Sequence, residues 1–276
     1  MKAHFSGINL ARETNEDIEP TVYDYLEPLT TVIGIKCSNG IVIGTDSQAT
    51  ARTGKTKDLQ AEKILEINKF CALAGSGDSD HVKKLTFAIR RRIGEKLFND
   101  DEMVEILESV LNELYKKYNV RKSKAMGLPA INVMFHPSSI LGAKLKNEAF
   151  GLYLLKDDGF VSRIENYAAI GSGTDLAKLV LDMQSRAPAS QQKILADLPV
   201  EMNWFTACVT VNEVKNFDGQ SGGDTRIAII RKNGLVKLSN VVITRAYEWY
   251  VEQISTAFSK GLRNSEVKKM IKSFYR

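Results

Sequence analysis

Three histidines, His4, His81 and His136, are scattered through the 276 residues, and none shares a pattern with a serine or cysteine nucleophile. A Ser-His-Asp or Cys-His arrangement needs an imidazole to take the nucleophile's proton, so that route to acyl transfer is poorly supported. Metal-ligand spacings such as HExxH or paired CxxC are absent from the sequence, and neither a metal nor a cofactor is expected. Two glycine turns, Gly75-Ser76-Gly77 and Gly171-Ser172-Gly173, lack the full phosphate-binding fingerprint and read as tight strand-to-helix connections. Asp46 closes an apolar run and could open an aspartyl-phosphate loop, but Gln48 stands where that loop needs its second acid. Taken singly, Lys63 reads as a surface lysine, and Ser172, Asp218 and Ser221 as turn formers.

The elements that would position such groups begin abruptly at Thr30. Before it, 29 residues are polar, acidic between Glu13 and Glu19 and punctuated by Pro20 and Pro28, and read as a leader. After it, TTVIGIKC and IVIGTDSQAT flank Ser38-Asn39-Gly40, a hairpin signal that predicts a strand from Thr31 and a partner ending near Asp46. Further strands are expected at Ile64–Ile67, Phe70–Ala74, Ala130–His136, Ala149–Leu155, Phe160–Ile170, Thr225–Arg231 and Leu235–Leu238. Asp78, Ser79 and Asp80 can cap a helix carrying Val82, Leu85, Ile89, Ile93 and Leu97 at helical spacing. Other helices are expected at Asp101–Tyr118, Asp175–Arg186 and Val200–Val214, and from Arg245 to the end. No composition break separates Thr30 from Leu238. The order therefore predicts one layered domain, two antiparallel sheets facing each other between outer helices, with residues 241–276 a helical extension packed on it or projecting from it.

Composition bounds the function class. With 43% hydrophobic and 26% charged residues the chain can bury a sizeable core. Cys37, Cys71 and Cys208 are odd in number, far apart and embedded in apolar runs, so they read as buried hydrophobes of a reducing compartment rather than a disulfide framework. No signal-type apolar segment opens the chain, and no run approaches the roughly 18 apolar residues of a membrane span; a cytoplasmic protein without membrane partners is expected. The net charge of +5 gathers late, at Lys260, Arg263, Lys268, Lys269, Lys272 and Arg276. That cluster lies on a helical pattern with little aromatic interleaving, so it reads as a solvated face and no nucleic acid is expected.

Six elements in order carry a resemblance. Thr30-Thr31-Val32-Ile33-Gly34 runs without a gap to Gly44-Thr45-Asp46-Ser47-Gln48-Ala49-Thr50; AEKI supplies Lys63, LAG ends in Gly75, AIGSG supplies Ser172, and DGQSGGD supplies Asp218 and Ser221. Over Thr30 to Leu238 the chain resembles β subunits of the proteasome and the related bacterial peptidase HslV. The resemblance implies an α+β fold, the four-layer αββα sandwich of N-terminal-nucleophile hydrolases. It also implies a threonine endopeptidase whose nucleophile, Thr30, is freed by removal of the leader. Asp46, Lys63, Ser172, Asp218 and Ser221 would complete the catalytic set, Gly75 would supply the oxyanion donor, and Ala49, Ala61 and Leu73 would line an apolar substrate pocket favouring cleavage after hydrophobic residues. Partners implied are other α and β subunits in stacked rings, unfolded protein or peptide substrates, and an ATPase activator; the terminal Phe274-Tyr275-Arg276 matches an activator-docking ending, but three residues carry little weight and read first as an ordinary C-terminus.

The implied chemistry is coherent without histidine. A threonine hydroxyl is a weak nucleophile until a base takes its proton, and a freed α-amine, with an ordinary pKa of roughly 7.7–8.0, can do so near neutral pH. Lys63 would favour the alkoxide, Asp46 would orient Lys63, and Ser172, Asp218 and Ser221 would position the amine and a water. The chain departs from the family pattern at three points. Leu29 stands where self-processing subunits carry glycine. The Asp46–Lys63 spacing is one residue long, which predicts an insertion around Arg52–Lys57. Ser190–Asp218 is more apolar than usual. Were Thr31 the nucleophile, Lys63 would fall into place and Asp46 would not; insertions enter loops more readily than strands, which favours Thr30. A catalytically silent ring subunit and an amidohydrolase of small amides are the alternatives.

Overall fold

The Asn39-Gly40 turn forms as expected: β1 (Thr31–Cys37) and β2 (Gly40–Asp46) pair antiparallel, with Cys37 opposite Gly40 and Val32 opposite Thr45. In this computed structural model the described residues are 30–50, 57–121, 124, 138–156, 159–185 and 194–263. Nearly every position of both strands is buried. That explains their unbroken apolar runs, since a strand covered on two faces has no solvent side on which to place polar residues.

Beyond a two-residue ribbon of β3 (Ala49–Thr50) and β4 (Lys57–Asp58), the chain enters a second sheet with β5 (Ile64–Asn68) and β6 (Cys71–Ser76). Asp78 caps α1 (Ser79–Ile93) by accepting from the Asp80 N–H at 2.9 Å. Asn99 and Glu102 form a reciprocal capping box at the start of α2 (Asp100–Tyr115). The second sheet continues through β7 (Ser138–Lys144), β8 (Phe150–Leu155) and β9 (Val161–Arg163), in the order β5-β6-β7-β8-β9. The chain then returns to the first sheet with β10 (Tyr167–Gly171), passes through α3 (Thr174–Ser185) and α4 (Val200–Phe217), and completes that sheet with β11 (Thr225–Arg231) and β12 (Gly234–Lys237). Its order is β10-β1-β2-β11-β12. Last comes α5 (Asn240–Arg263).

Three apolar cores separate four layers. Leu85, Ile89, Leu107 and Leu111 of α1 and α2 pack on Leu73, Leu141 and Tyr153 of the second sheet. Ala177, Leu181, Ala207, Val211 and Ile243 of α3, α4 and α5 pack on Ile33, Ile35 and Ile227 of the first. Between the sheets, Val32, Ile41 and Ile43 meet Ala72, Ala74, Ile140 and Leu152. The α+β four-layer sandwich is thus present, with two antiparallel sheets between helix layers.

Several boundaries differ from expectation. Phe160–Ile170 is not one strand: β9 and β10 belong to different sheets, and the chain crosses between them at Ile164–Asn166, where Ile164 N–H bonds Leu152 O and Lys36 N–H bonds Asn166 O. The strand expected at Ala130–His136 lies outside the described residues, while β7 forms where the polar Ser138-Ser139 start masked it. The second helix loses α geometry after Tyr115 and continues as a π-helical turn, Lys116–Val120. α4 runs on to Phe217, and α5 starts at Asn240 rather than Arg245. No helix among the described residues is long and apolar enough to cross a membrane.

Candidate active site

Antiparallel pairing brings remote residues to one end of the sandwich. Thr30 immediately precedes β1, Asp46 ends β2 opposite Thr225 at the start of β11, and Thr31 pairs with Gly171 at the end of β10. In the facing sheet, Lys63 immediately precedes β5. It stands one step beyond the Ile64–Ala74 pair, beside Gly75 near the end of β6. Ser172 follows β10, and Asp218 caps the C-terminus of α4, its N–H bonding Val214 O at 2.8 Å.

Thr30, Asp46 and Lys63 form a closed triangle. The Thr30 hydroxyl donates to Asp46 Oδ1 at 2.6 Å, the Lys63 ammonium donates to the same Oδ1 at 2.8 Å, and Lys63 also donates to Thr30 Oγ1. Asp46 is fully buried, and two backbone groups besides Thr31 N–H complete its shell: Gln48 N–H at 3.2 Å and Gly222 N–H at 2.9 Å, both on Oδ2. Five donors on two oxygens are the kind of compensation that a buried charge requires. Burial pushes the Lys63 ammonium below its ordinary range, and the neighbouring Asp46 carboxylate opposes that shift. A cation in contact with a hydroxyl lowers the cost of removing its proton.

A second hydrogen-bonded chain runs along the other side of Thr30. Asp218 Oδ2 accepts from Ser172 Oγ at 2.7 Å and from Ser221 Oγ at 2.8 Å. Ser172 Oγ lies 3.3 Å from Thr30 O, and Ser221 Oγ lies 2.7 Å from Thr31 Oγ1. Gly171 is required where the chain leaves β10: its φ of +97° is left-handed, and a Cβ there would collide with the Thr30 carbonyl oxygen.

The five other residues expected to carry catalysis therefore converge on Thr30, directly or through one neighbour. The pocket residues divide. Ala49 and Ala61 are half-buried, and Ala61 N–H bonds the Ser47 carbonyl at 2.9 Å. Leu73 is wholly buried in the core between the second sheet and α1 and α2. Gly75 pairs with Ser139 of β7 and lies under Val82 of α1. Residue reading missed Thr31, Gln48 and Gly222. All three contribute backbone N–H groups to Asp46, which no side-chain pattern reveals, and Thr31 adds its hydroxyl to Ser221. Among the described residues, no group of three or more His, Cys, Asp or Glu could hold a metal ion.

Comparisons with known proteins identify the family. The family model described as proteasome subunit matches residues 29–197, starting one residue before Thr30. The chain is 29% identical over 164 residues to the proteasome subunit beta of Nanoarchaeum equitans (strain Kin4-M), covering 56% of this chain and 74% of that one. It is 23% identical over 229 residues to the proteasome subunit beta of Methanococcus maripaludis (strain C7 / ATCC BAA-1331), covering 82% and 92%. To proteasome subunit beta 2 of Pyrococcus abyssi (strain GE5 / Orsay) it is 25% identical over 223 residues, covering 76% and 91%. With the family model covering more than half of its length and these relatives all named as proteasome β subunits, this chain belongs to the proteasome subunit family, as one of its β-type members.

Proposed function

We propose that this β-type subunit is an active threonine endopeptidase, working in a ring assembled with other proteasome subunits on unfolded protein or peptide substrates. The observation that carries the reading is the triangle at Thr30, whose hydroxyl donates to Asp46 at 2.6 Å while accepting from Lys63. Hydrolysis of the Leu29–Thr30 bond would release residues 1–29 and leave a free α-amine. That amine takes the Oγ proton as Oγ attacks the substrate carbonyl, and the Gly75 N–H receives the developing oxyanion. The ammonium then protonates the leaving amide nitrogen. Water, deprotonated by the same amine, hydrolyses the resulting ester and restores Thr30.

The small side chains of Ala49 and Ala61 beside the site support cleavage after hydrophobic residues. The test compares hydrolysis of fluorogenic peptides by protein beginning at Thr30 with that by its Thr30→Ala variant. A loss of at least about a thousandfold is expected, the scale of deleting a covalent nucleophile; equal rates overturn the assignment. Leu29, in place of the glycine found in self-processing subunits, favours a second reading, a silent ring subunit. Intact masses of assembled particles separate the two, since retention of residues 1–29 supports silence.

A further inference from the structure

We propose that Lys215, on the last turn of α4, is a positioning residue for the Thr30 site, a second cation that pins the loop wrapped around Asp46. This inference rests on the peptidase reading above. Its Nζ donates to the Gly223 carbonyl at 3.0 Å. Each residue of the segment Ser221 to Asp224 is tied to the site or to its supports. Ser221 contacts Thr31, and Gly222 N–H donates to Asp46. The Gly222 carbonyl accepts from Ser47 N–H at 3.1 Å and from Gln48 N–H at 2.9 Å. Asp224 N–H donates to Ser47 Oγ at 2.7 Å. The Gly223 carbonyl is held by Lys215 alone among the hydrogen bonds described, so a charged side chain joins the Ser221–Asp218 contacts in tying the end of α4 to this loop.

The electrostatic surroundings give that charge a role beyond capping a helix. Asp46 of β2, Asp224 ahead of β11 and Cys208 on α4 are the ionisable groups acting on Lys215. Arg226 neutralises Asp224 at 3.2 Å, and Glu213 of α4 is engaged by Tyr247 of α5 at 3.1 Å. Burial pushes the Lys215 ammonium below its ordinary range, with Asp46 and Asp224 opposing that shift. Around Thr30 the charged groups are Asp46, Lys63 and Asp218. Lys215 adds a positive charge acting on Asp46 of this set; removing it makes the surroundings more negative, so a Thr30 ammonium becomes easier to form and harder to deprotonate. The base would then be free only at higher pH.

The experiment uses the full chain in its assembled, leader-free form and compares wild type with Lys215→Met and Lys215→Arg. For Lys215→Met, a roughly three- to tenfold fall in kcat at neutral pH is expected, with KM nearly unchanged. The acid limb of the kcat profile should move upward by about half a pH unit, the scale of one partly screened charge. Lys215→Arg should restore both. Hydrogen exchange of the Gln48 and Gly222 amides, which needs no activity, should quicken in Lys215→Met and not in Lys215→Arg. Unchanged exchange overturns the positioning role. Quickened exchange with an unmoved pH profile reduces Lys215 to a structural pin and overturns the catalytic part. Should Thr30→Ala hydrolyse peptides as fast as wild type, the peptidase reading has failed instead, and the exchange result still decides whether Lys215 pins the loop.

Discussion

Thr31 and Ser221 lie 190 positions apart in sequence and meet with their hydroxyl oxygens 2.7 Å apart. Ser221 has a single proton, and Asp218 Oδ2 at 2.8 Å is a carboxylate oxygen that can only accept it. The direction follows: Thr31 donates to Ser221, which donates to Asp218. Thr31→Val keeps the shape of the side chain and removes the donor. It should lower kcat about tenfold with little change in KM, cost about 1 kcal/mol of stability, and be rescued by Thr31→Ser. Steady-state kinetics that leave kcat of the valine variant unchanged would show that this chain does not serve the nucleophile.

Asp46 is the most heavily solvated group of the site, by protein rather than water. In Asp46→Asn the ammonium of Lys63 remains, only a tenth exposed at its side chain, without its counter-charge. Breaking one half of a buried pair costs about 3–5 kcal/mol. Denaturant unfolding at neutral pH should register a loss of that order, and peptide hydrolysis should disappear. A variant as stable as wild type contradicts the network described.

Gly171 combines a left-handed backbone with contact against the Thr30 carbonyl. Gly171→Ala should cost about 1–3 kcal/mol from the backbone conformation alone, and more from displacing Thr30. The activity of whatever folds should fall further than its stability. Equal losses at Gly171 and at Gly94, where a Cβ meets nothing within 4 Å although φ is also positive, would remove the site-specific part of this expectation.

The three cysteines are free and buried. Burial raises the Cys37 and Cys208 thiols to about 11 and pushes Cys71 higher still, so none is a thiolate near neutrality. A disulfide reagent at pH 8 should modify none of them in the folded protein and all three after unfolding. Because these folded-state values lie above the ordinary 9.0, their contribution to stability is whole below that pH and is lost as pH climbs toward 11. Rapid labelling of native protein would mean that the cores around them are open.

The proposed activity requires hydrolysis of the bond between Leu29 and Thr30. Leu29→Gly should speed release of residues 1–29, because glycine leaves the backbone freest to reach the geometry of attack. Mass spectrometry of freshly assembled particles checks this; identical processing rates would exclude side-chain bulk as the obstacle.

Much of this was written in local signals. The Asn39-Gly40 turn, the apolar runs of β1 and β2, the Asp78 cap and the helical spacing of α1 depend on neighbours in sequence, and each formed close to where it was expected. The candidate catalytic set was legible for another reason: Thr30, Asp46, Lys63, Ser172, Asp218 and Ser221 are side-chain chemistries that can be read as letters and matched to a family pattern. Polar starts and sheet changes hid the rest. Ser138-Ser139 concealed β7, and one apolar stretch became β9 and β10 because a strand's composition does not say which of two sheets it joins.

What the sequence determined by itself was therefore the central hairpin with its two buried faces, the main helices and the identity of the groups able to do chemistry. Tertiary structure alone decided that Gly222 and Gln48 offer backbone N–H groups to Asp46, that the Thr31 hydroxyl donates a hydrogen bond to Ser221, and that Lys215 reaches the Gly223 carbonyl. Every residue carries the same peptide N–H, so its letter cannot show where that group is aimed. Only the pairing of strands far apart in sequence aims it.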